Sequence, residues 1–165
     1  MQPADNASQR DASQRDASQR DASPNLPQRG ADVSRKLPEH DAARLCILVV
    51  DDDADTARLM SRLLQKRGYV VKSAASIRSA VEQMELGPVD LLISDITLSD
   101  GSGLDLMRQL GAGRSLSGIA ISGHGEDADV AASLAAGFAR HMVKPVDFDE
   151  LLVEVEARAE RVGLA

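Results

Sequence analysis

Tryptophan is missing from the 165 residues, and Tyr69, Phe138 and Phe148 are the only aromatics. So small a set cannot build a platform on which bases stack. The net charge is −7 and no Lys/Arg-rich run occurs, which excludes the electrostatic footprint of direct nucleic-acid binding. A single cysteine, Cys46, rules out an internal disulfide. It lies in an apolar run and reads as a small buried hydrophobe rather than a reactive thiol. No stretch reaches the roughly 18 apolar residues of a membrane span. The polar N-terminus has no signal-peptide core. These absences lead to the expectation of a cytoplasmic protein with no membrane or direct nucleic-acid partner.

What is present divides the chain in two. In residues 1–43 the string ASQRD recurs with period five, from Ala7, Ala12 and Ala17, and a broken copy begins at Ala22. Six basic and seven acidic side chains nearly cancel there, and apolar residues larger than alanine are almost missing. Such a segment cannot bury enough surface to offset the entropy of ordering, so 1–43 is expected to be a disordered low-complexity tail. A five-residue period is also too short for a solenoid unit.

Residues 44–165 carry the folding information. Leu45 to Val50 reads as a strand buried on both faces. A helix follows with Leu59, Met60, Leu63 and Leu64 on one face, ended by Gly68. Tyr69 to Ala74 reads as a second strand, and Ser76 caps a helix whose Ile77, Ala80, Val81 and Met84 share a face. Val89 to Ser94, Gly118 to Ser122 and His141 to Val143 supply three further strands. Helices are expected around 104–110, 126–136 and from Asp147 onward, where Asp147 and Glu150 have the spacing of a capping box. Five strand–helix units in series give an α/β fold, a five-stranded parallel sheet with helices on both faces.

Sites in such sheets lie at the carboxyl ends of the strands. Asp51 and Asp52 follow the first strand, Asp95 the third, Ser122-Gly123 the fourth and Lys144-Pro145 the fifth. Neighbouring carboxylates repel one another when ionised, so something must compensate. A hard-oxygen nest from two strands suits Mg²⁺. Asp95 can accept a phosphoryl group as an acyl phosphate. Phosphoryl transfer needs mainly positioning and charge neutralisation. Mg²⁺ would neutralise one side of the transferring group and Lys144 the other, with Ser122 donating a hydrogen bond.

The pieces ILVVDDD, LLISDITLSDGSG, IAISG and HMVKP, in this order, resemble the receiver domain of bacterial two-component response regulators over residues 44–165. The wording AAGFARHMVKPVDFDEL is similar to receivers associated with hybrid histidine kinases. The resemblance implies a flavodoxin-like fold and a phosphorelay switch. By it, Asp95 is the phosphoacceptor, Asp52 the direct Mg²⁺ ligand and Asp51 an acidic partner acting largely through water. Thr97 lends its backbone carbonyl to the metal, Ser122 is the conformational hydroxyl, and Lys144 binds phosphate ahead of a cis peptide at Pro145. His141 falls at the switch position, where an aromatic is usual, and Ser99 stands where a proline is usual. The donor would be a histidine kinase or a histidine phosphotransfer protein. The chain is then expected to act as a stand-alone receiver, through contacts with an unknown protein effector, and to promote only its own phosphorylation and dephosphorylation.

Two other classes stay open at this point. Haloacid-dehalogenase-type phosphatases also combine an aspartate nucleophile, Mg²⁺, a hydroxyl and a lysine, but their D-x-D-x-T/V motif fits neither Asp51 nor Asp53. A phosphate-independent binding module would not need the full set of polar groups. Asp53 and Asp55 read as helix N-terminal charges, Asp100 as a turn residue, and His124 as either a polar loop residue or a tuner of dephosphorylation.

Overall fold

The structure, a computed structural model, describes residues 44–161 and 163; the expected tail, 1–43, lies outside the described residues. Strands β1 (Cys46–Val50), β2 (Val70–Ala74), β3 (Leu91–Asp95), β6 (Ser117–Ser122) and β7 (Arg140–Val143) form one parallel sheet in the order β2-β1-β3-β6-β7. A two-residue antiparallel pair, β4 (Thr97–Leu98) with β5 (Gly101–Ser102), folds the loop after β3 back on itself. The helices are α1 (Ala54–Lys66), α2 (Ile77–Glu85), α3 (Gly103–Gly111), α4 (Asp127–Ala136) and α5 (Phe148–Arg161). Among the described residues no helix is long and apolar enough to cross a membrane.

The central strands are apolar on both sides because both sides are covered. Ile47, Val49, Leu91, Ile93, Ile119 and Ile121 pack with Met60 and Leu64 of α1 and Leu151 and Val155 of α5. Leu48, Val50, Leu92 and Ala120 point the other way, against Ala80 and Met84 of α2, Leu106, Met107 and Leu110 of α3, and Phe138. Each fully buried Leu, Ile or Val side chain contributes roughly 1.5–3 kcal/mol of transfer free energy, so this double-sided pattern drives the layering.

Helix starts are set by local acceptors. The Asp53 carboxylate caps α1 by accepting from Thr56 N at 2.7 Å. Ser76 and Ser79 form a reciprocal capping box at α2. The box expected at α5 is only half made: Asp147 accepts from the amides of Asp149 and Glu150 (2.8 and 3.2 Å), while the Glu150 carboxylate turns away to Arg140. The long Glu side chain finds a charged partner on the neighbouring strand, which outbids one backbone amide. Leu59, on the same apolar face of α1 as Met60 and Leu63, is 61% exposed. Its 100° offset from Met60 carries it past the seam with the sheet.

Candidate functional site

Sheet order places the site. The chain passes outward from β1 to β2 and then returns across β1 to β3. The crevice at such a reversal, beyond the strand carboxyl ends, is open to a ligand. Register does the rest. Val50 pairs with Ser94, so Asp51 emerges beside Asp95. Asp95 pairs with Ile121 and Ser122 with Val143, so Ser122 and Lys144 emerge along the same rim.

Asp51, Asp52 and Asp95 each bring a carboxylate oxygen to within 4.8 Å of the others. Asp51 is 2% and Asp95 7% exposed, whereas Asp52 is open to solvent. The Lys144 Nζ reaches in from β7's end and donates to Asp95 Oδ2 at 2.5 Å and Asp51 Oδ2 at 3.1 Å. Burial pushes the Lys144 ammonium down, but its hydrogen bonds and charge contacts with Asp95 and Asp51 outweigh that and hold it above the usual lysine value. The remaining oxygens take backbone amides: Asp53 N donates to Asp51 Oδ1 and Thr97 N to Asp95 Oδ1, both at 2.9 Å. The Lys144–Pro145 peptide is cis.

This donor set fits a divalent cation. One ammonium, paired with the two buried members, faces a cluster of three carboxyl groups, so the cluster is short of positive charge. All its free acceptors are hard oxygens, the preference of Mg²⁺. Glycine is required at the α3 start, because a Cβ on Gly103 would lie 2.1 Å from the Asp95 carbonyl. That close approach, with Gly103 N donating to Ile96 O at 2.8 Å, lets the loop fold tightly over Asp95.

The other half of the expected constellation is arranged differently. Ser122 is buried at the rim, but its Oγ accepts from the amide of His124 at 3.0 Å and is thus committed to its own loop. Its backbone is tied in, since Lys144 N donates to Ser122 O at 2.8 Å. His141 does not join the carboxylates. Its Nε2 donates to the His124 carbonyl (3.1 Å) and its Nδ1 meets Ser133 Oγ of α4 (3.0 Å); a carbonyl only accepts, which fixes the proton on Nε2. Gly123 meets nothing: a Cβ there would stand in open space.

Two residues exceed what their sequence positions suggested. Asp100, read as a turn residue, sends its carboxylate to the first two amides of α2, Ile77 N at 2.9 Å and Arg78 N at 3.2 Å. Ser133 supplies the partner of His141. Both contacts join elements far apart in the chain or on opposite sides of a turn, so no spacing rule announces them. Cys46 is buried beside Lys72 and Asp90, and burial raises its thiol pKa, as an inert structural cysteine requires.

Comparison with known proteins agrees with this geometry. Residues 47–156 match the family model described as the response regulator receiver domain. An uncharacterized 14.6 kDa protein of Leptolyngbya boryana is 35% identical over 67% of this chain and 86% of its own. The acid tolerance regulatory protein ActR of Rhizobium meliloti is 31% identical over 70% of this chain, and the TorCAD operon regulator TorR of Escherichia coli O157:H7 is 34% identical over 72%. The chain spans only 61% and 51% of those two relatives' lengths. Among solved structures, a response regulator receiver protein from Pseudomonas putida matches with TM-score 0.65 at 30% identity, covering 69% of this chain and 97% of that one.

Proposed function

Because the chain belongs to the response regulator receiver family, we propose that it is a phosphoacceptor switch whose acceptor is Asp95. The observation that carries this is the Lys144 ammonium set between Asp95 and Asp51 inside a three-carboxylate cluster. A phosphohistidine on a histidine kinase or phosphotransfer protein donates. A carboxylate oxygen of Asp95 attacks phosphorus, an O–P bond forms, and the P–N bond breaks. Its electron pair returns to the imidazole nitrogen, which takes up a proton.

Asp51, Asp52 and Asp95, with the backbone carbonyl of Thr97, would hold Mg²⁺. When bound, the cation would add positive charge to that of Lys144 and so help neutralise the transferring group. Lys144 orients the acceptor and follows the developing charge on the phosphoryl oxygens. Ser122 then exchanges its bond to His124 N for one to the phosphoryl group, and His141, bonded to the same loop, senses that exchange. The result is a shift between two populations of the β6–α4 surface, read by a protein effector.

A phosphodonor protein has to approach over the surface next to Lys144. An apolar cleft lined by Leu59, Met60, Leu63, Val146 and Phe148 opens there, beside Lys144 and Pro145. The 61% exposure of Leu59 is accounted for if that partner covers it. The domain reading is a receiver over 44–165, with residues 1–43 outside it, working in the cytoplasm.

The test is labelling with acetyl phosphate and Mg²⁺, read by intact mass. One phosphoryl group is expected on the wild type and none on Asp95→Asn. A label that persists in Asp95→Asn overturns the assignment. Retained partner binding and signalling in that variant would instead favour a phosphate-independent module.

A further inference from the structure

The turn between β4 and β5 does more than reverse the chain. Its two residues, Ser99 and Asp100, are exposed, yet the Asp100 carboxylate is bound at both oxygens. Oδ1 accepts from Ile77 N and Oδ2 from Arg78 N, 2.9 and 3.2 Å away. These are the first two amides of α2; the third, Ser79 N, is satisfied by Ser76. A helix cannot satisfy these early donors internally, and here a loop from 22 and 23 residues away does so. The bonds hold the Asp100 carboxyl below the usual carboxylate range, led by the Ile77 amide, so the clamp is charged at neutral pH. The same turn sits tightly on the helix. Gly101 has φ +151, and a Cβ on it would lie 2.7 Å from the Ile77 Cδ1.

The clamped turn closes the two-stranded β4–β5 sheet, and that sheet carries the acceptor loop. Leu98 pairs with Gly101 and Thr97 with Ser102. The Thr97 amide in turn donates to Asp95 Oδ1. From Asp100 the path to the acceptor carboxylate is therefore short: it runs along the paired β4–β5 strands and ends in the Thr97 N bond to Asp95. No proline stiffens this loop between Asp95 and Gly103.

From this we infer that Asp100 is a positioning residue for the phosphoacceptor site: by clamping the β4–β5 turn to the α2 N-terminus it fixes Thr97, and with it the oxygen donors offered to the cation. This inference rests on the functional reading above. It also makes the α2 N-terminus part of the apparatus that sets metal affinity, although the carboxylates of Asp51 and Asp95 take their hydrogen bonds from Lys144, Asp53 and Thr97.

The experiment is calorimetric Mg²⁺ titration of the full chain and of Asp100→Ala, Asp100→Asn and Ser76→Ala. Amide hydrogen exchange at Ile77 and Arg78 is followed in parallel. Asp100→Ala should weaken Mg²⁺ binding by on the order of tenfold, the low end of what residues supporting a metal ligand are worth. Asp100→Asn keeps one acceptor oxygen and should recover part of the loss. Ser76→Ala frays the same helix without touching the turn, so it should leave Mg²⁺ affinity unchanged. Unaltered affinity in Asp100→Ala, even with faster exchange at Ile77, overturns the inference. Equal losses in Asp100→Ala and Ser76→Ala overturn it too, since general loosening of α2 would then be the cause. A wild type that takes up no Mg²⁺ sinks the functional reading itself, and this inference with it.

Discussion

The two halves of the sheet rim differ in how far their polar groups are committed to one another. On the β1–β3 side, Asp51, Asp95 and Lys144 are already bonded together, and backbone amides hold the remaining carboxylate oxygens. On the β6–β7 side, Ser122 is bonded to its own loop, and residues 123–126, which follow it, are all exposed. Chemistry that depends on positioning gains from a preorganised acceptor, whereas a signal needs a segment with two arrangements of similar free energy. One rim thus carries a half bonded across strands and a half bonded within its own loop, and the sheet between them keeps both in register.

Ser122→Ala against Asp95→Asn is the widest expected contrast. Asp95→Asn should abolish labelling by acetyl phosphate. Ser122→Ala should slow it by about tenfold at most, the scale of one net hydrogen bond, because Oγ is not bonded to the acceptor beforehand. Equal losses in the two variants would erase the distinction between the halves.

Next in size is metal linkage. At a hundred times its Kd, Mg²⁺ should stabilise the wild type by about 2.7 kcal/mol, seen as a raised thermal midpoint. Asp52→Asn should shrink that rise at the same concentration. An undiminished rise would move the cation away from the β1–β3 side. Lys144→Ala, measured without metal, leaves two buried carboxyl groups without their ammonium. The expected cost is about 1–2 kcal/mol, below the figure for a fully buried pair because Lys144 is one-third exposed. The sign with pH follows from its raised pKa: this stabilisation is complete below the ordinary lysine pKa and is lost only as pH rises through the higher folded value.

The smallest effect concerns the caps. The Asp53 carboxyl is held below the usual range, chiefly by its bonds to Thr56. Its contribution is therefore present above the ordinary aspartate pKa and disappears as pH falls through the lower folded value. The thermal midpoints of wild type and Asp53→Asn should differ at neutral pH and converge in strong acid. A gap that stays constant across that range would show that the carboxylate charge is not what caps α1.

Much of this was legible in the residues. Short apolar runs such as ILVV and LLIS, rich in β-branched residues, read as strands covered on both faces, and their alternation with helical patterns implies a parallel sheet. Since strands in such a sheet share one direction, the residues after each run must meet at one rim, which nominated Asp51, Asp52, Asp95, Ser122 and Lys144. Element ends were harder. Tyr69, Val89 and Asp90 lie just outside the strands assigned to them, because edge pairing and flanking turns, not side-chain pattern, decide where a ladder stops. The exposure of Leu59 was not legible either, because periodicity names a stripe and not which of its edges stays open.

The sequence alone determined the order of layers and which side chains share the rim, since both follow from the periodicity of burial and the uniform direction of parallel strands. Only the tertiary structure decided who bonds to whom. The reach of Lys144 to two carboxylates, the turn of Ser122 toward His124, the two bonds of His141 and the hold of Asp100 on α2 are choices among partners that chain separation leaves open. The physical reason is that a polar group takes whichever acceptor or donor lies within about 3 Å, and that distance exists only after the core has closed.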